Sequence, residues 1–518
     1  MGLEKEEGKK FWLRERAAGI FLHLSSLPSR QGIGCLGEAA ERWVDFLAEC
    51  GFRYWQLCPI GPTGFGDSPY QSFSVFAGNP YFIDLDELVR RDYLSGADLD
   101  SLRHLPQERV DYGQLYLQVP SLCQRAFERF LSLGQDDDPP FIRFCEEQSF
   151  WLPNYSLFMA LKEIFQGQPL GRWPKAFRSG ESTAKFLKGN ACELYRELPL
   201  RQKKHDFIQF TFHRQWQHLL EYAHSRGVSL IGDLPIFPGM DSADFWGHRC
   251  IFQSDKNGRA RCVAGVPPDA YSAEGQLWGN PLFDWDELEK THYDWWVERL
   301  RQAQRSFDIT RLDHFRGFYD YWAIPAAAEE ARCGRWRPGP GIAFFREILK
   351  KIPDLKCIAE DLGLPSSGVH ELLRASRFPG MDVLQFAFSG DPKNPYLPHM
   401  HEKNSVLYLG THDNDTTSAW YASLSPEMQD SVRRYFRSDG SSIAWDMIRW
   451  AYASPCRLLI LSLPDLLALG SNARFNTPST CGGNWTWRCT SETLQGLQTR
   501  SSRYLQELAH IYGREKAP

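Results

Sequence analysis

Eight short apolar runs constrain the fold of this chain more than any other feature of its sequence. Each run has the length of a β-strand and leads into polar, acidic or glycine-rich sequence. Helical periodicity lies between most of them, for example over residues 38–50 and 207–225. In chain order the runs cover residues 19–24, 52–57, 228–232, 308–312, 356–359, 381–386, 405–410 and 457–462.

Strand and helix in alternation, repeated eight times, are typical of a (β/α)8 barrel, an α/β fold whose parallel strands are buried on both faces. A doubly wound open sheet is the structural alternative. No Gly-x-Gly-x-x-Gly follows the first apolar run, so that alternative has no support. The sequence therefore predicts a (β/α)8 TIM barrel.

Two connections between the predicted strands are too long for plain loops. The first, over about 68–204, carries helical patterns of its own and predicts a mainly helical subdomain inserted after strand two. The second, over about 238–281, is rich in Gly, Pro and Asp and predicts a long lid loop over the barrel mouth after strand three. Little chain follows the eighth run, so we expect no C-terminal β-sandwich. Residues 1–518 should form one catalytic barrel that these two segments interrupt.

The charge and composition of the chain limit the kinds of molecule that it could bind. The net charge is −5 and no basic block is present, which argues against nucleic acid and anionic membranes. The first residues are charged rather than apolar, and no apolar run approaches the ~20 residues that span a bilayer. The 13 cysteines are scattered, without a Cys-x-x-Cys spacing, so we expect neither zinc nor a disulfide framework and predict a cytoplasmic location.

Four carboxylates stand where apolar runs end. They are Asp233, Asp313, Glu360 and Asp413, on predicted strands three, four, five and seven. Each alone could be a turn or capping residue, because Asp is common in turns. Barrel enzymes draw their working residues from the carboxyl ends of the strands, so these four should converge on one mouth.

Arg311 and Asp313 should face the same side of strand four, because side chains alternate along a strand. Burying charge is costly unless the charge is paired or used. A structural salt bridge at the end of a strand is the simpler interpretation. We expect instead that Asp313 is a catalytic carboxylate and that Arg311 keeps it ionised.

Crowded carboxylates have pKa values that are forced apart, and glycosyl transfer requires such a separation. One carboxylate attacks the anomeric carbon while a second, still protonated, donates to the leaving oxygen. Asp313 suits the nucleophile because Arg311 favours its anion. Glu360 follows an apolar strand, so its pKa should rise, which suits a general acid/base. Asp413, beside His412, would hydrogen-bond sugar hydroxyls and help to distort the ring.

A divalent metal for phosphoester or amide hydrolysis is the competing interpretation. Its candidate ligands are His314, His412, Asp413 and Asp415. These residues show no familiar ligand spacing. The His-x-His pair at residues 399–401 precedes strand seven and should lie at the opposite end of the barrel. We therefore expect no metal and no cofactor.

Three stretches carry a specific resemblance: 311–317 (Arg-Leu-Asp-His-Phe-Arg-Gly), 359–363 (Ala-Glu-Asp-Leu-Gly) and 411–416 (Thr-His-Asp-Asn-Asp-Thr). They resemble the catalytic motifs of the 4-α-glucanotransferases, also called amylomaltase or disproportionating enzyme, glycoside hydrolase family 77. Further similar blocks are residues 61–71, 232–237, 265–281 and 474–478. The similarity extends from about 19 to 488, in the order of the predicted strands.

The resemblance implies transfer of α-1,4-glucan segments between maltooligosaccharide donor and acceptor by a retaining double displacement, without a cofactor. It implies Asp313 as nucleophile, Glu360 as acid/base and Asp413 as transition-state stabiliser. Tyr70 would stack beneath the sugar at the cleavage point, and residues 269–278 would form a lid across the cleft. The substrate-binding residues that it implies are Ser68, Tyr70, Asp233, Arg311, His412, Asp269, Tyr271 and Trp278.

Two other functions stay open at the level of sequence. An α-glucan hydrolase of the amylase type would use the same carboxylates and differ only in accepting water. A non-catalytic glucan-binding protein could share the scaffold, although all three catalytic carboxylates are present here. The sequence leaves the oligomeric state open.

Overall fold

The computed structural model describes residues 12–64, 66–189, 196–255, 258–268, 274–364, 366–480 and 482–515. Twelve strands lie within this part of the chain. They are β1 (Ala17–Phe21), β2 (Tyr54–Gln56), β3 (Ser229–Leu234), β4 (Cys262–Val266), β5 (Gln276–Pro281), β6 (Ile309–Leu312), β7 (Asp320–Pro325), β8 (Arg335–Pro338), β9 (Cys357–Ala359), β10 (Gly380–Val383), β11 (Ser405–Tyr408) and β12 (Leu458–Ser462).

The described residues also form 17 α-helices. They are α1 (Glu38–Glu49), α2 (Leu85–Arg90), α3 (Tyr112–Ser132), α4 (Pro139–Glu147), α5 (Leu152–Ile164), α6 (Gly180–Gly189), α7 (Leu198–Ser225), α8 (Ala243–Gly247), α9 (Trp285–Lys290), α10 (Asp294–Ser306), α11 (Gly341–Lys351), α12 (Ser367–Ser376), α13 (Thr417–Ser423), α14 (Pro426–Phe436), α15 (Ile443–Ala453), α16 (Leu463–Leu466) and α17 (Ser491–Ile511). Among these described helices, none combines the length and the hydropathy that a membrane span requires.

The central sheet is parallel and has the strand order β10-β11-β12-β1-β2-β3-β6-β9. Its two ends meet where the N–H of Ala359 donates to the carbonyl of Pro379 at 2.9 Å, which nearly closes the barrel. Each of the eight apolar runs overlaps one of these strands. The predicted (β/α)8 barrel is therefore confirmed, and the described chain after β12 contains helices and loops rather than a β-sandwich.

The barrel strands could be predicted from the sequence because both faces of each strand are covered. Every residue of β1, β6, β9 and β11 is buried. Helix α1 shows the complementary pattern, since its buried residues Ala40, Trp43, Val44 and Leu47 recur at helical spacing. A parallel strand between helices must be apolar throughout, whereas a covering helix needs only one apolar stripe.

The described chain between β2 and β3 is mainly helical and contains helices α2 to α7. Its buried side chains join the hydrophobic cores of the barrel: Phe127 packs in one cluster with Ile231, and Phe158 in a second with Leu312. Helix α7 begins at Leu198, with a proline in its first turn, and so crosses the predicted boundary at 204. The inserted subdomain over 68–204 as a separate unit stays a prediction.

The segment over 238–281 differs from the predicted long lid loop. It contains α8 and the strands β4 and β5, which pair with β7 and β8 in a four-stranded antiparallel sheet of order β5-β4-β7-β8. Half of this sheet comes from the chain after β6, and β4 pairs with residues of β7 that are more than 50 positions away, so local periodicity could not indicate it. The sheet carries Trp278 to the barrel mouth.

Candidate active site

A cleft of about 800 Å³ opens at the carboxyl ends of the barrel strands. The three predicted catalytic carboxylates line it together with most of the predicted binding residues: Asp313, Glu360, Asp413, Ser68, Tyr70, Trp278, Arg311 and His412. Asp233 lies buried beneath them, in contact with Tyr70 and Arg311. Asp269 and Tyr271 lie outside the described residues.

Arg311 on β6 connects two carboxylates at the floor of the cleft. Its guanidinium donates to both oxygens of Asp233, at 2.8 and 2.6 Å, and to Oδ1 of Asp313 at 2.9 Å. Burial opposes the charge, but Asp233 and Asp313 raise the pKa of Arg311 well above its ordinary value. Arg311 thus forms a salt bridge with Asp313 and shares its charge with Asp233 as well.

Glu360 follows β9 and accepts two backbone hydrogen bonds. The N–H of His314 donates to Oε2 at 2.7 Å, and the N–H of Leu362 donates to Oε1 at 3.0 Å. Burial, and then the charge of Asp313, raise the pKa of Glu360 to about 8, against the opposing charge of Arg311. The rise expected from the apolar strand is therefore present, and the group is protonated at neutral pH.

His314 joins the two carboxylates through its backbone. It directly follows Asp313 and has a left-handed φ of 51°, which is uncommon outside glycine. This conformation directs its N–H at Glu360. Its ring packs edge-to-face on Trp278, with centroids 4.9 Å apart. The turn after β6 thus fixes Glu360 relative to Asp313.

Asp413 is held from the far side of the cleft by the chain after β12. Asn476 Nδ2 donates to Oδ1 of Asp413 at 2.6 Å, and Arg474 donates to its backbone carbonyl. His412 Nε2 lies 3.5 Å from the same Oδ1. One carboxylate oxygen of Asp413 is thus occupied by protein donors.

Tyr70 lies in a stack of rings beside the carboxylates. Its hydroxyl donates to Oδ2 of Asp233 at 2.7 Å, and its ring stacks on His412 with centroids 5.0 Å apart. The Trp485 ring lies 5.9 Å from Tyr70 and 5.6 Å from His412. Ser68 accepts from the Tyr70 N–H and shapes the turn. A flat, rigid aromatic surface of this kind suits the apolar face of a sugar.

Trp278 reaches the cleft from β5 and is anchored through Gln71. The Gln71 amide donates to the carbonyl of Trp278 at 3.3 Å and to Oδ1 of Asn280 at 2.9 Å. Asn280 in turn donates to the carbonyls of residues 237 and 238. The tryptophan is half-buried: it packs against the edge of a hydrophobic core cluster and also lines the cleft.

Sequence reasoning gave no role to three residues that build this site: Gln71, Asn476 and Trp485. Gln71 and Asn476 fall inside blocks that carried the family resemblance, which was the available signal. Trp485 had none, because nothing local indicates that residues 412 and 485 meet.

The sequence that contains these carboxylates and strands matches a known protein family. Residues 22–494 match the family model described as 4-alpha-glucanotransferase. The chain belongs to the 4-α-glucanotransferase family.

Relatives named 4-alpha-glucanotransferase support this membership along nearly the whole chain. The protein of Streptococcus pneumoniae is 41% identical over 489 residues, 93% of this chain and 95% of its own. That of Thermus thermophilus is 43% identical over 482 residues, 91% of this chain and 94% of its own. The solved structure of an amylomaltase from Streptococcus agalactiae in complex with acarbose has a TM-score of 0.92 and 36% identity, covering 97% of this chain and 100% of its own.

Proposed function

We propose that this protein is a 4-α-glucanotransferase that moves α-1,4-glucan segments from a maltooligosaccharide donor to an acceptor. One observation carries the proposal: at the mouth of the barrel, Asp313 lies on the charge of Arg311, and the residue after it, His314, holds the buried Glu360, whose pKa rises to about 8. A retaining double displacement needs this pair of protonation states.

In the first step, the Asp313 carboxylate forms a bond to the anomeric carbon as the glycosidic C–O bond breaks. Glu360 gives its proton to the departing oxygen, so the donor's reducing-end fragment leaves as a neutral alcohol. The product is a glucosyl ester of Asp313. The two carboxyl groups should lie about 5 to 5.5 Å apart, the separation for retention.

The second step reverses the first with a new alcohol. Esterification removes the charge of Asp313, which is one cause of the raised pKa of Glu360. The pKa of Glu360 therefore falls in the intermediate, and the residue becomes a base. It takes the proton of an acceptor 4-hydroxyl as that oxygen displaces Asp313.

The remaining groups hold the sugar. Tyr70 and His412 offer their stacked rings to the reacting glucose, and Asp233 and Arg311 hold the Tyr70 hydroxyl and the nucleophile in place. Asp413, oriented by Asn476, would bind hydroxyls as the ring flattens toward the transition state. Trp278 on β5, with Asp269 and Tyr271 nearby in sequence, would cover an acceptor and keep water from the ester.

Incubation with maltotriose alone tests the transfer. A transferase yields glucose and a ladder of longer maltooligosaccharides with no net rise in reducing ends. A steady growth of reducing ends would instead identify a hydrolase, and no change at all would favour a glucan-binding protein. Activity should persist in a chelator, because no step uses a metal. A cytoplasmic location stays a prediction.

A further inference from the structure

Three side chains that can ligate a metal meet on the side of the barrel where β11 and β12 begin. Asp382 comes from β10, His401 precedes β11 and Cys456 precedes β12. A ligand atom from each lies within 4.8 Å of the others, and this is the one such group of three found in the described part of the chain. Cys456 is fully buried and His401 is 8% exposed.

The spacing of the sulfur and the carboxylate suits a single small ion. Sγ of Cys456 lies 3.7 Å from Oδ2 of Asp382. A tetrahedral Zn²⁺ with a Zn–S bond of ~2.3 Å and a Zn–O bond of ~2.0 Å holds these two ligands about 3.5 Å apart. The two side chains could therefore share one ion with almost no movement of the backbone.

His401 is already oriented as a ligand. Its Nε2 lies 2.9 Å from the carbonyl oxygen of Tyr396. A carbonyl only accepts, so Nε2 carries the proton. In the neutral ring Nδ1, 3.4 Å from the Ser454 hydroxyl, then keeps a lone pair, which is the arrangement of metal-bound histidines. His399, the other half of the His-x-His pair, turns away to the Tyr435 hydroxyl at 2.8 Å. Neither histidine of the pair lines the active-site cleft.

Contrary to the expectation from cysteine spacing, we propose that Asp382, His401 and Cys456 bind a zinc ion. A sulfur, nitrogen and oxygen set favours Zn²⁺ over Mg²⁺ or Ca²⁺, which prefer oxygen. On binding, the Cys456 S–H proton leaves to solvent and a Zn–S bond replaces it, so thiolate and carboxylate together balance the 2+ charge. The Ser405 hydroxyl, 2.6 Å from Oδ2 of Asp382, or a water would complete four-coordination.

The position of the proposed zinc site in the barrel indicates a structural role. β10 is one end of the strand order, at the seam that a hydrogen bond between residues 359 and 379 bridges. An ion on Asp382, His401 and Cys456 would tie β10 to the chain entering β11 and β12. Residues at the amino-terminal face of such barrels serve stability, so the ion should leave catalysis unchanged.

Cobalt(II) tests the site, because a Co²⁺–thiolate bond has a near-ultraviolet charge-transfer band. The chelator-treated full chain should develop this band at one equivalent of Co²⁺ and lose it when Zn²⁺ is added. Cys456→Ser should abolish the band, while Cys250→Ser, which alters an exposed cysteine, should keep it. No band at one equivalent, or a band retained in Cys456→Ser, overturns the proposal.

A second measurement does not depend on the cysteine variant. Zinc at a hundredfold excess over its Kd should raise the thermal midpoint of the wild type by about 2 to 3 °C, given the size of the chain. Asp382→Asn and His401→Gln should each weaken zinc binding at least tenfold in competition with a chromophoric chelator. Equal zinc affinity in these variants and the wild type would leave only a hydrogen-bonded cluster and overturn the site.

Discussion

Asp313 is proposed to form the covalent bond to the sugar, and this role depends on the charged oxygen that attacks. Asp313→Asn keeps the shape of the side chain and its place beside Arg311 but removes the attacking charge. We expect a loss in maltotriose disproportionation on the order of 10⁴-fold or more, because removing a nucleophile has effects of that size. Binding of maltotetraose, measured by calorimetry, should change little.

Asp308→Asn is the matched control for that loss. Asp308 lies just before β6, at the end away from the cleft, where it contacts His224 and the N–H of Leu230. Its variant should keep wild-type turnover. Turnover retained in Asp313→Asn would contradict the assignment of the nucleophile.

The role of Glu360 as proton donor should determine how the rate of the first step, the glycosylation of Asp313, depends on pH. Burial and the charge of Asp313 raise its pKa to about 8, so the acid form dominates below that pH and is lost above it. We expect kcat/KM for maltooligosaccharides to fall as pH rises through about 8, because the leaving oxygen then lacks a proton donor. Glu360→Gln should lower activity at every pH.

An activated donor separates this role from a structural one. Fluoride leaves without a proton, so maltosyl fluoride should glycosylate Asp313 in Glu360→Gln at close to the wild-type rate, measured as a burst of fluoride. An equal loss of rate with maltosyl fluoride and with maltotriose would show that Glu360 does not act as the acid.

Asn476 is a positioning residue, because it acts through Asp413. Its amide donates to Oδ1 of Asp413 at 2.6 Å and directs the carboxylate into the cleft. Asn476→Ala should lower kcat by about 10- to 100-fold with a smaller change in KM, since a misplaced group costs that much in the transition state. Asn472→Ala, on the exposed part of the same segment, should leave kcat unchanged. A change in KM alone would argue that Asn476 contacts substrate instead.

At the scale of elements, burial decided what the sequence could predict. The barrel strands are covered on both faces and therefore form apolar runs that end at the mouth. β8, in contrast, is exposed along its length and reads Arg-Trp-Arg-Pro, while β5 contains a glycine and ends in a proline. Such strands are specified by their partners, β4 and β7, rather than by their own pattern.

The same limit applies to the site. Asp313, Glu360 and Asp413 could be predicted because each stands at the end of an apolar run. The contacts that orient them join residues far apart in the chain: Tyr70 and Asp233 are 163 positions apart, and Asn476 and Asp413 are 63 apart. No local pattern encodes such contacts, so only the family resemblance pointed to the blocks that contain them.

The end of α17 is fastened to the barrel by one buried arginine. Arg514 donates to the backbone carbonyls of residues 17, 451, 452, 454, 456 and 457, below the start of β1 and β12. Arg514→Met would leave several buried carbonyls without donors. We expect it to lower the free energy of unfolding by about 3 to 5 kcal/mol.

Urea denaturation measures that change, with Arg503→Ala on the exposed face of α17 as the control. The control should stay within about 0.5 kcal/mol of the wild type. Turnover at 25 °C should be unchanged in both variants, because the arginine lies at the opposite side of the barrel from the cleft. A stability loss of the same size in Arg503→Ala would attribute the effect to the charge of the helix rather than to the buried contacts.

At the scale of the whole molecule, the active site should reduce the stability of the fold at alkaline pH. The pKa of Glu360 rises from 4.5 to about 8 on folding, so the folded chain holds a proton that the unfolded chain releases. The free energy of unfolding therefore falls as pH rises between about 4.5 and 8. Glu360→Gln carries no such proton and escapes this loss.

The difference in unfolding free energy between Glu360→Gln and the wild type should thus grow in favour of the variant by a few kcal/mol from pH 5 to pH 8, at about 1.4 kcal/mol for each unit of pKa shift. Denaturant curves of both proteins at pH 5, 6.5 and 8 measure it. Most groups titrate alike in the two proteins, so their contributions cancel in the difference. A difference that stays constant across this range would show that Glu360 titrates alike in the folded and unfolded chains, and would remove the basis for its role as the proton donor.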